Sequence, residues 1–443
     1  IQGVGMDLLK DNVGKLYRKF FIASFGSALI ACIYGLVDMA MVGQYHGPDG
    51  SAAMAVIAPI WNIIYSFGLL CGIGGSVIYA VARGERDDVK EANGYFTSAF
   101  ILGAIWALIL WVLVWVCEEP LLKLFGANDA LMPLCKEYMV APKLTVPVYV
   151  FINLLSSFLR NDGDPGRATK AVIFGGIFNV FGDYFFVFTL DMGIKGAGIA
   201  TAMGASMSVL VMLTHFIGKK NTLKFVKPIR ILNSFKMISV NGFSSFIVDV
   251  AMGIATMLFN RRVMEYLGTD ALAVYGVIVV VGTLVQCCSY GIGQAAQPVI
   301  SRNFGAGLTD RIKTMLKYNI ITAAVFGAIW TVLSMAMPQV FIKLFMTPTP
   351  EVLSIAPGII RIYAISFVLL PFNIYSTYYF QAIMRAKISL IASVARGIVI
   401  SGALILLLPV AFGGNAVWWA MPITEAVVFV YSAVMMKKVK LSR

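Results

Sequence analysis

Long apolar runs separated by short polar loops set the pattern of this chain. Twelve runs approach the roughly 20 residues that carry a helix across about 30 Å of hydrocarbon. The predicted spans cover residues 20–42, 52–82, 94–116, 138–159, 168–188 and 194–217, then 237–259, 271–301, 316–337, 355–383, 390–412 and 416–436. A basic linker, 219–236, separates the sixth span from the seventh. The expected fold is therefore an all-α integral membrane protein with an N-terminal lobe over 1–218 and a C-terminal lobe over 237–443.

Composition agrees with that pattern. Of 443 residues, 59% are hydrophobic and 13% charged, which one water-soluble globule cannot accommodate. The net charge of +13 does not indicate nucleic acid, because no segment can form a separate basic module. It instead follows loop topology. With the N-terminus inside, 26 Lys and Arg fall on the inner side and 6 on the outer, while Lys143, Arg361 and Arg396 lie in or at the edge of spans. That asymmetry places both termini in the cytoplasm, with the cytoplasmic (inner) membrane as the expected location. Ile1 is not an initiator methionine and no cleavable signal pattern precedes the first span, so the chain is expected to start within a longer protein.

The halves repeat one another. Tyr45, Gly47, Asp49, Ala52, Val56 and Ile57 recur 221 residues later as Tyr266, Gly268, Asp270, Ala273, Val277 and Ile278. Gly103-Ala-Ile-Trp106 likewise returns as Gly327-Ala-Ile-Trp330, and Lys123-Leu-Phe125 as Lys343-Leu-Phe345. Six spans per repeat make the copies parallel, giving two pseudo-symmetric six-helix lobes around a central cavity. Prolines such as Pro147, Pro298 and Pro409 mark expected kinks. The small-residue ridge Gly196, Ala200 and Gly204 marks close helix packing.

Ionisable groups in mid-span cost about 2.5 to 3.5 kcal/mol each on insertion scales and need a reason. Four acids qualify: Asp38, Asp183, Asp249 and Glu425. Asn179 and Asp183 are four residues apart and share a helix face. Thr201 offers a further oxygen, and Tyr34 could hydrogen-bond Asp38 structurally. Positions opposite Asp38 and Asp183 in the repeat fall near Phe259 and Leu407, so the acid pair belongs to one lobe. A buried carboxylate pair binds a proton more readily than in water. The same oxygens suit Na⁺, and the residues alone do not choose between H⁺ and Na⁺.

Trp61, Tyr65, Tyr275, Gln286, Tyr290, Phe372, Tyr375, Tyr379 and Gln381 are candidates to line an aromatic cavity, where cation–π attraction of about 0.5 to 2 kcal/mol per contact would favour lipophilic cations. The alternative is lobe packing or lipid contact. The six cysteines read as small hydrophobes, and His46 and His215 do not cluster with them, so no metal site is expected beyond Na⁺. No GxxxxGK[ST] motif encodes ATP drive, and no nucleophile–base set suggests an enzyme.

Tyr34-Gly-Leu-Val-Asp38, Met41-Val-Gly43, Leu159-Arg-Asn-Asp-Gly163-Asp-Pro, Asn179 with Asp183, and Gly193-Ile-Lys-Gly-Ala-Gly-Ile-Ala-Thr201 together resemble the multidrug and toxic compound extrusion family, nearest its DinF-like branch. The resemblance covers almost the whole chain. It implies a monomeric antiporter that exchanges H⁺ or Na⁺ for small cationic or amphipathic toxicants among membrane lipids, without a cofactor. It also implies a cation site at Asp38, Asn179, Asp183 and Thr201. The chain departs from many relatives in having Ala23 and no proline in span one. It has Ser156 and Ser157 ahead of Arg160, with Asn153 a turn earlier, where relatives often carry Asn. Asp249 falls near an acid that other branches use. The rival expectation is a lipid-linked saccharide flippase of the same superfamily, holding pyrophosphate through Lys143, Arg361 and Arg396.

Overall fold

A computed structural model describes residues 7–85, 89–228, 230–345 and 348–441. Ile1, Ile229 of the linker, and Arg86 and Arg443 of the charge tally lie outside the described residues. The described chain is helical almost throughout. Helices α1 (Val13–Gly47), α2 (Asp49–Glu85), α3 (Val89–Val116), α4 (Val140–Asn161), α5 (Pro165–Thr189) and α6 (Gly193–Ile217) form the first lobe. Ile231–Gly305 runs for 75 residues but turns at Gly268 (φ 80°, ψ −169°). Unbroken it would reach about 110 Å, far more than a bilayer. It is therefore two spans, α7 (231–267) and α8 (269–305). Helices α9 (Thr309–Ala336), α10 (Pro350–Ala382), α11 (Ala386–Phe412) and α12 (Gly414–Lys438) complete twelve.

The sharp turns fall at a pair of repeated glycines. Gly47 (φ 65°) closes the α1–α2 hairpin as Gly268 closes α7–α8, and each backbone conformation favours glycine. Prolines do not make equivalent breaks, for helix continues through Pro147, Pro298 and Pro409. Three short helices, Glu118–Leu124, Met132–Tyr138 and Pro338–Phe345, occupy loops that the apolar pattern left blank. They are too short to register as spans. The predicted spans also fell short at several ends, because α1, α2 and α8 continue past the hydrocarbon-length run.

Packing differs between the two ends of the bundle. At the end that holds the first and last described residues, one core joins the lobes. Leu16 and Phe20 of α1 and Val77 and Val81 of α2 meet Ile300 and Phe304 of α8 and Tyr379 and Phe380 of α10. At the hairpin end each lobe keeps its own core. Val42, Ile57 and Ile194 lie in one, and Phe259, Val274 and Trp418 in the other. The bundle is consequently closed at the terminal end and divided at the Gly47 and Gly268 end. Exposed Trp115, Phe181, Val332 and Leu407 face outward, as a hydrocarbon solvent requires.

Candidate functional site

Three helices of the first lobe bring the predicted cation-site residues together. Asp38 comes from α1, Asn179 and Asp183 from α5, and Thr201 from α6, and all four are buried. Close approach of α5 and α6 depends on the small-residue ridge: a Cβ on Gly204 would lie 2.6 Å from the Gly175 carbonyl oxygen. Tyr138, at the end of the short helix before α4, donates to Asp38 Oδ2 at 3.1 Å. The Asn179 amide donates to Thr201 Oγ1 at 3.3 Å. Asp183, one turn beyond Asn179 on the same helix, is fully buried.

Acceptor capacity remains unused. Asp38 Oδ1, Asn179 Oδ1 and both carboxylate oxygens of Asp183 are buried without a hydrogen-bond partner among the described residues. An unsatisfied buried acceptor costs about 1 to 3 kcal/mol. Protons on the carboxyl groups, or a hard cation among these oxygens, would relieve that cost. The donor set of carboxylate, amide and hydroxyl oxygen fits either ion.

Beside this cluster a cavity of about 160 Å³ opens between the lobes. Tyr34, Tyr65, Tyr149, Asn153, Ser156, Ser157 and Arg160 line it with Asn179 and Thr201, and α8 adds Cys287, Tyr290 and Gln294. Asn179 and Thr201 are thus shared: they belong to the acid cluster and line the cavity, whereas the buried Asp38 and Asp183 are not among its lining residues.

The second lobe is organised differently. Tyr290 donates to Asp249 Oδ1 at 2.7 Å and accepts from Gln286 Nε2 at 2.6 Å, while Asp249 Oδ2 has no partner among the described residues. Glu425 is fully buried but neutralised by Arg396 at 2.8 Å and held by Asn373 at 2.6 Å. Tyr275 and Gln286 line a separate cavity of about 100 Å³. Several other candidates pack against neighbouring side chains. Trp61 packs on Tyr149 with ring centroids 4.6 Å apart, and Phe372 on Phe429 at 4.7 Å. Tyr375 and Tyr379 are in the closed-end core, and Gln381 joins Ser245 to the Asn241 carbonyl.

Both histidines are tied into the scaffold. His46 Nε2 accepts from the Ile194 amide at 3.0 Å. His215 places Nε2 2.8 Å from Asp162 and Nδ1 3.3 Å from Asp164. The same Asp162 accepts from the Thr222 amide at 2.9 Å and from Tyr79 at 3.1 Å, fastening the linker to the α4–α5 loop. Among the described residues no cluster of three or more His, Cys, Asp or Glu side chains is suited to a metal. Tyr138, Tyr149 and the cavity placement of Arg160 escaped the sequence reading. Tyr138 and Arg160 stand at the two ends of the span, where apolar periodicity carries no signal, and Tyr149 in its middle reads as one aromatic among many.

A two-lobe bundle with an interlobe cavity and ionisable groups beside it has the build of a secondary membrane transporter. The chain belongs to the MatE family, whose profile matches residues 23–185 and 242–406, one copy in each half. It is thus a transporter and not an enzyme. It is 24% identical over 426 residues to the multidrug export protein MepA of Staphylococcus haemolyticus, covering 94% of this chain and 92% of that one. Identity to MepA of Staphylococcus saprophyticus is 23% over 426 residues, with the same coverage. A solved outward-facing multidrug resistance MATE transporter of the MOP superfamily superposes with a TM-score of 0.88 over 98% of both chains at 22% identity.

Proposed function

We propose that this protein is an antiporter of the cytoplasmic membrane, exporting amphipathic organic cations in exchange for inward H⁺ or Na⁺. One observation carries the reading: buried unsatisfied oxygens of Asp38, Asn179 and Asp183 belong to one cluster with Thr201, and Asn179 and Thr201 also line the interlobe cavity. An ion bound in the cluster and a substrate in the cavity would draw on the same two side chains. Loading one would therefore weaken hold on the other. The export names carried by the staphylococcal relatives point the same way.

In this reading the lobes 1–218 and 237–443, joined by 219–236, rock about the interlobe contact, with both termini cytoplasmic. The closed terminal end then makes the present form outward-facing. One charge moving through about 100 mV releases about 2.3 kcal/mol, and a tenfold ion gradient adds about 1.4 kcal/mol. That suffices for several-hundredfold export. The membrane supplies the lipid environment, a monomer is a sufficient unit, and no cofactor is required.

The flippase alternative draws less support, because the three cations proposed for it are engaged. Lys143 pairs with Glu118 at 2.7 Å, Arg361 donates to the Met335 carbonyl at 3.1 Å, and Arg396 pairs with Glu425. The deciding experiment is dye efflux from proteoliposomes driven separately by an imposed pH gradient and an imposed Na⁺ gradient. Efflux under one gradient identifies the coupling ion, and efflux under neither would overturn the proposal.

A further inference from the structure

A second cavity, of about 290 Å³, opens at the closed end of the bundle where the start of α3 meets the linker and the start of α7. Its size is near the lower end of small-molecule sites, about 300 Å³. Lys90 and Glu91 of α3 line it with Lys227 and Arg230 of the linker and Asn233 and Ser234 of α7. Among the described residues of the lining, three are cations and only Glu91 is an acid. Arg86, Asp87 and Asp88, which precede α3, lie outside the described residues. The linker contributes charge of one sign, since 219–236 holds six Lys and Arg and no Asp or Glu. Like charges gathered around a hollow repel one another, and an anion between them relieves that repulsion.

Hydrogen bonds fix the cations in place. The Lys224 amide donates to Asn93 Oδ1 at 3.1 Å, the Val226 amide donates to Thr97 Oγ1 at 3.0 Å, and Asn93 Nδ2 donates to the Thr222 carbonyl at 3.1 Å. Asn93 and Thr97 are buried, so the linker is laced to α3 just ahead of Lys227 and Arg230. Helix α7 then begins at Ile231 without a side-chain cap. Amides of its first turn have no helical acceptor, and the helix dipole favours negative charge at that end. Ammonium and guanidinium groups beside a helix N-terminus suit a phosphate. Phe225 and Leu232, close to these cations in the chain, stay largely exposed. Basic charge next to exposed apolar side chains is the pattern of a membrane interface, where headgroup and acyl chain meet.

We infer that this hollow seats a phosphate group, supplied by the headgroup of an anionic phospholipid. Because α3 belongs to the first lobe and α7 to the second, the occupant touches both lobes where they are closed. In the orientation proposed above the seat faces the cytoplasmic leaflet, whose anionic lipids attract basic segments. It is separate from the interlobe cavity and does not depend on ion-driven export.

The test is native mass spectrometry of the full chain released from detergent micelles and titrated with phosphatidylglycerol or phosphatidylcholine. The wild type should bind its first phosphatidylglycerol at least about tenfold more tightly than its first phosphatidylcholine. Lys90→Gln, Lys227→Gln and Arg230→Gln combined should bring the two within about twofold. A matched variant, Lys219→Gln, Lys220→Gln and Lys236→Gln, removes the same charge from linker positions that do not line the cavity, and it should keep the preference. No preference in the wild type overturns the seat, and so does an equal loss in both variants, which would assign the effect to diffuse surface charge. If the cavity variant does not fold, Lys227→Gln with Arg230→Gln, two exposed positions, decides by the same comparison. Thermal unfolding in detergent separates the sources. A midpoint raised by inorganic phosphate alone in the wild type, and not in the cavity variant, supports the seat with free phosphate as its occupant. A midpoint that only phosphatidylglycerol raises assigns the seat to the lipid.

Discussion

Gly305 of α8 lies against Val81 of α2 so closely that a Cβ on the glycine would come within 2.0 Å of the Val81 carbonyl oxygen. The pseudo-symmetric partner repeats the contact, since a Cβ on Gly84 would lie 2.0 Å from the Arg302 carbonyl oxygen. The repeat offset of 221 residues relates Gly84 to Gly305 and Val81 to Arg302. Two backbones touching reciprocally are what seal the terminal end of the bundle.

Bulk at that seal should open it. Gly305→Val must displace backbone rather than a flexible side chain, and overpacking of this kind costs about 1 to 3 kcal/mol. The expected result is a lower thermal midpoint of the purified protein. It should be joined by increased labelling of a cysteine introduced at Ile300, which is buried in the wild type. Unchanged labelling would show that closure does not depend on this contact.

Removing the acids one at a time tests the coupling site. Asp38→Asn and Asp183→Asn each delete a carboxylate charge while keeping shape, so gradient-driven efflux should fall at least about tenfold with the fold retained by size-exclusion chromatography. Normal efflux in both would remove the coupling role.

Tyr138 allows a gentler test of the same cluster. Tyr138→Phe removes the 3.1 Å hydrogen bond to Asp38, an interaction of about 1.5 to 3 kcal/mol with a charged acceptor. The apparent affinity for the driving ion should shift severalfold while the maximal efflux rate changes less. A purely structural tyrosine would lower expression or thermal stability without moving the ion dependence.

Glu425 and Arg396 should behave as a structural pair. Breaking a buried ion pair from one side costs about 3 to 5 kcal/mol, whereas replacing both partners with apolar residues is often neutral. Glu425→Leu should therefore be poorly folded, and the double variant Glu425→Leu with Arg396→Met should regain stability and efflux. A stable double variant without ion-driven efflux would reassign Glu425 to coupling.

Acid stability should report on the linker fastening. The hydrogen bond from His215, the largest cause, holds the Asp164 carboxyl down at about 2, against an ordinary value of about 3.9. A depressed folded-state value stabilises the protein above the ordinary value and is lost as pH falls through the folded one. Compared with Asp164→Asn, the wild type should have the higher thermal midpoint above about pH 4. The difference should disappear as the pH falls from about 4 to about 2.

Much of the architecture was legible in the order of the residues. Bilayer thickness converts apolar run length directly into spans, so the twelve helices could be counted without coordinates. The 221-residue repeat was legible too, and its paired glycines Gly47 and Gly268 are where the structure turns both hairpins, at backbone angles few other residues tolerate. Isolated acids in hydrocarbon are costly enough that Asp38 and Asp183 stood out by their presence alone.

Tertiary structure decided what each polar group meets. Glu425 and Asp249 look alike as single acids in apolar runs, yet one faces Arg396 and the other Tyr290. Arg160 read as the end of a span, and only the packing of the two lobes places it in a cavity wall with Tyr65 of α2 and Tyr290 of α8. Tyr375 and Tyr65 are equivalent as aromatic residues in spans, but one is interior packing and the other lines the cavity. Span formation depends on the transfer of local segments from water to lipid, which sequence encodes directly. Partnership depends on which helix faces meet, and residues far apart in the chain set that together.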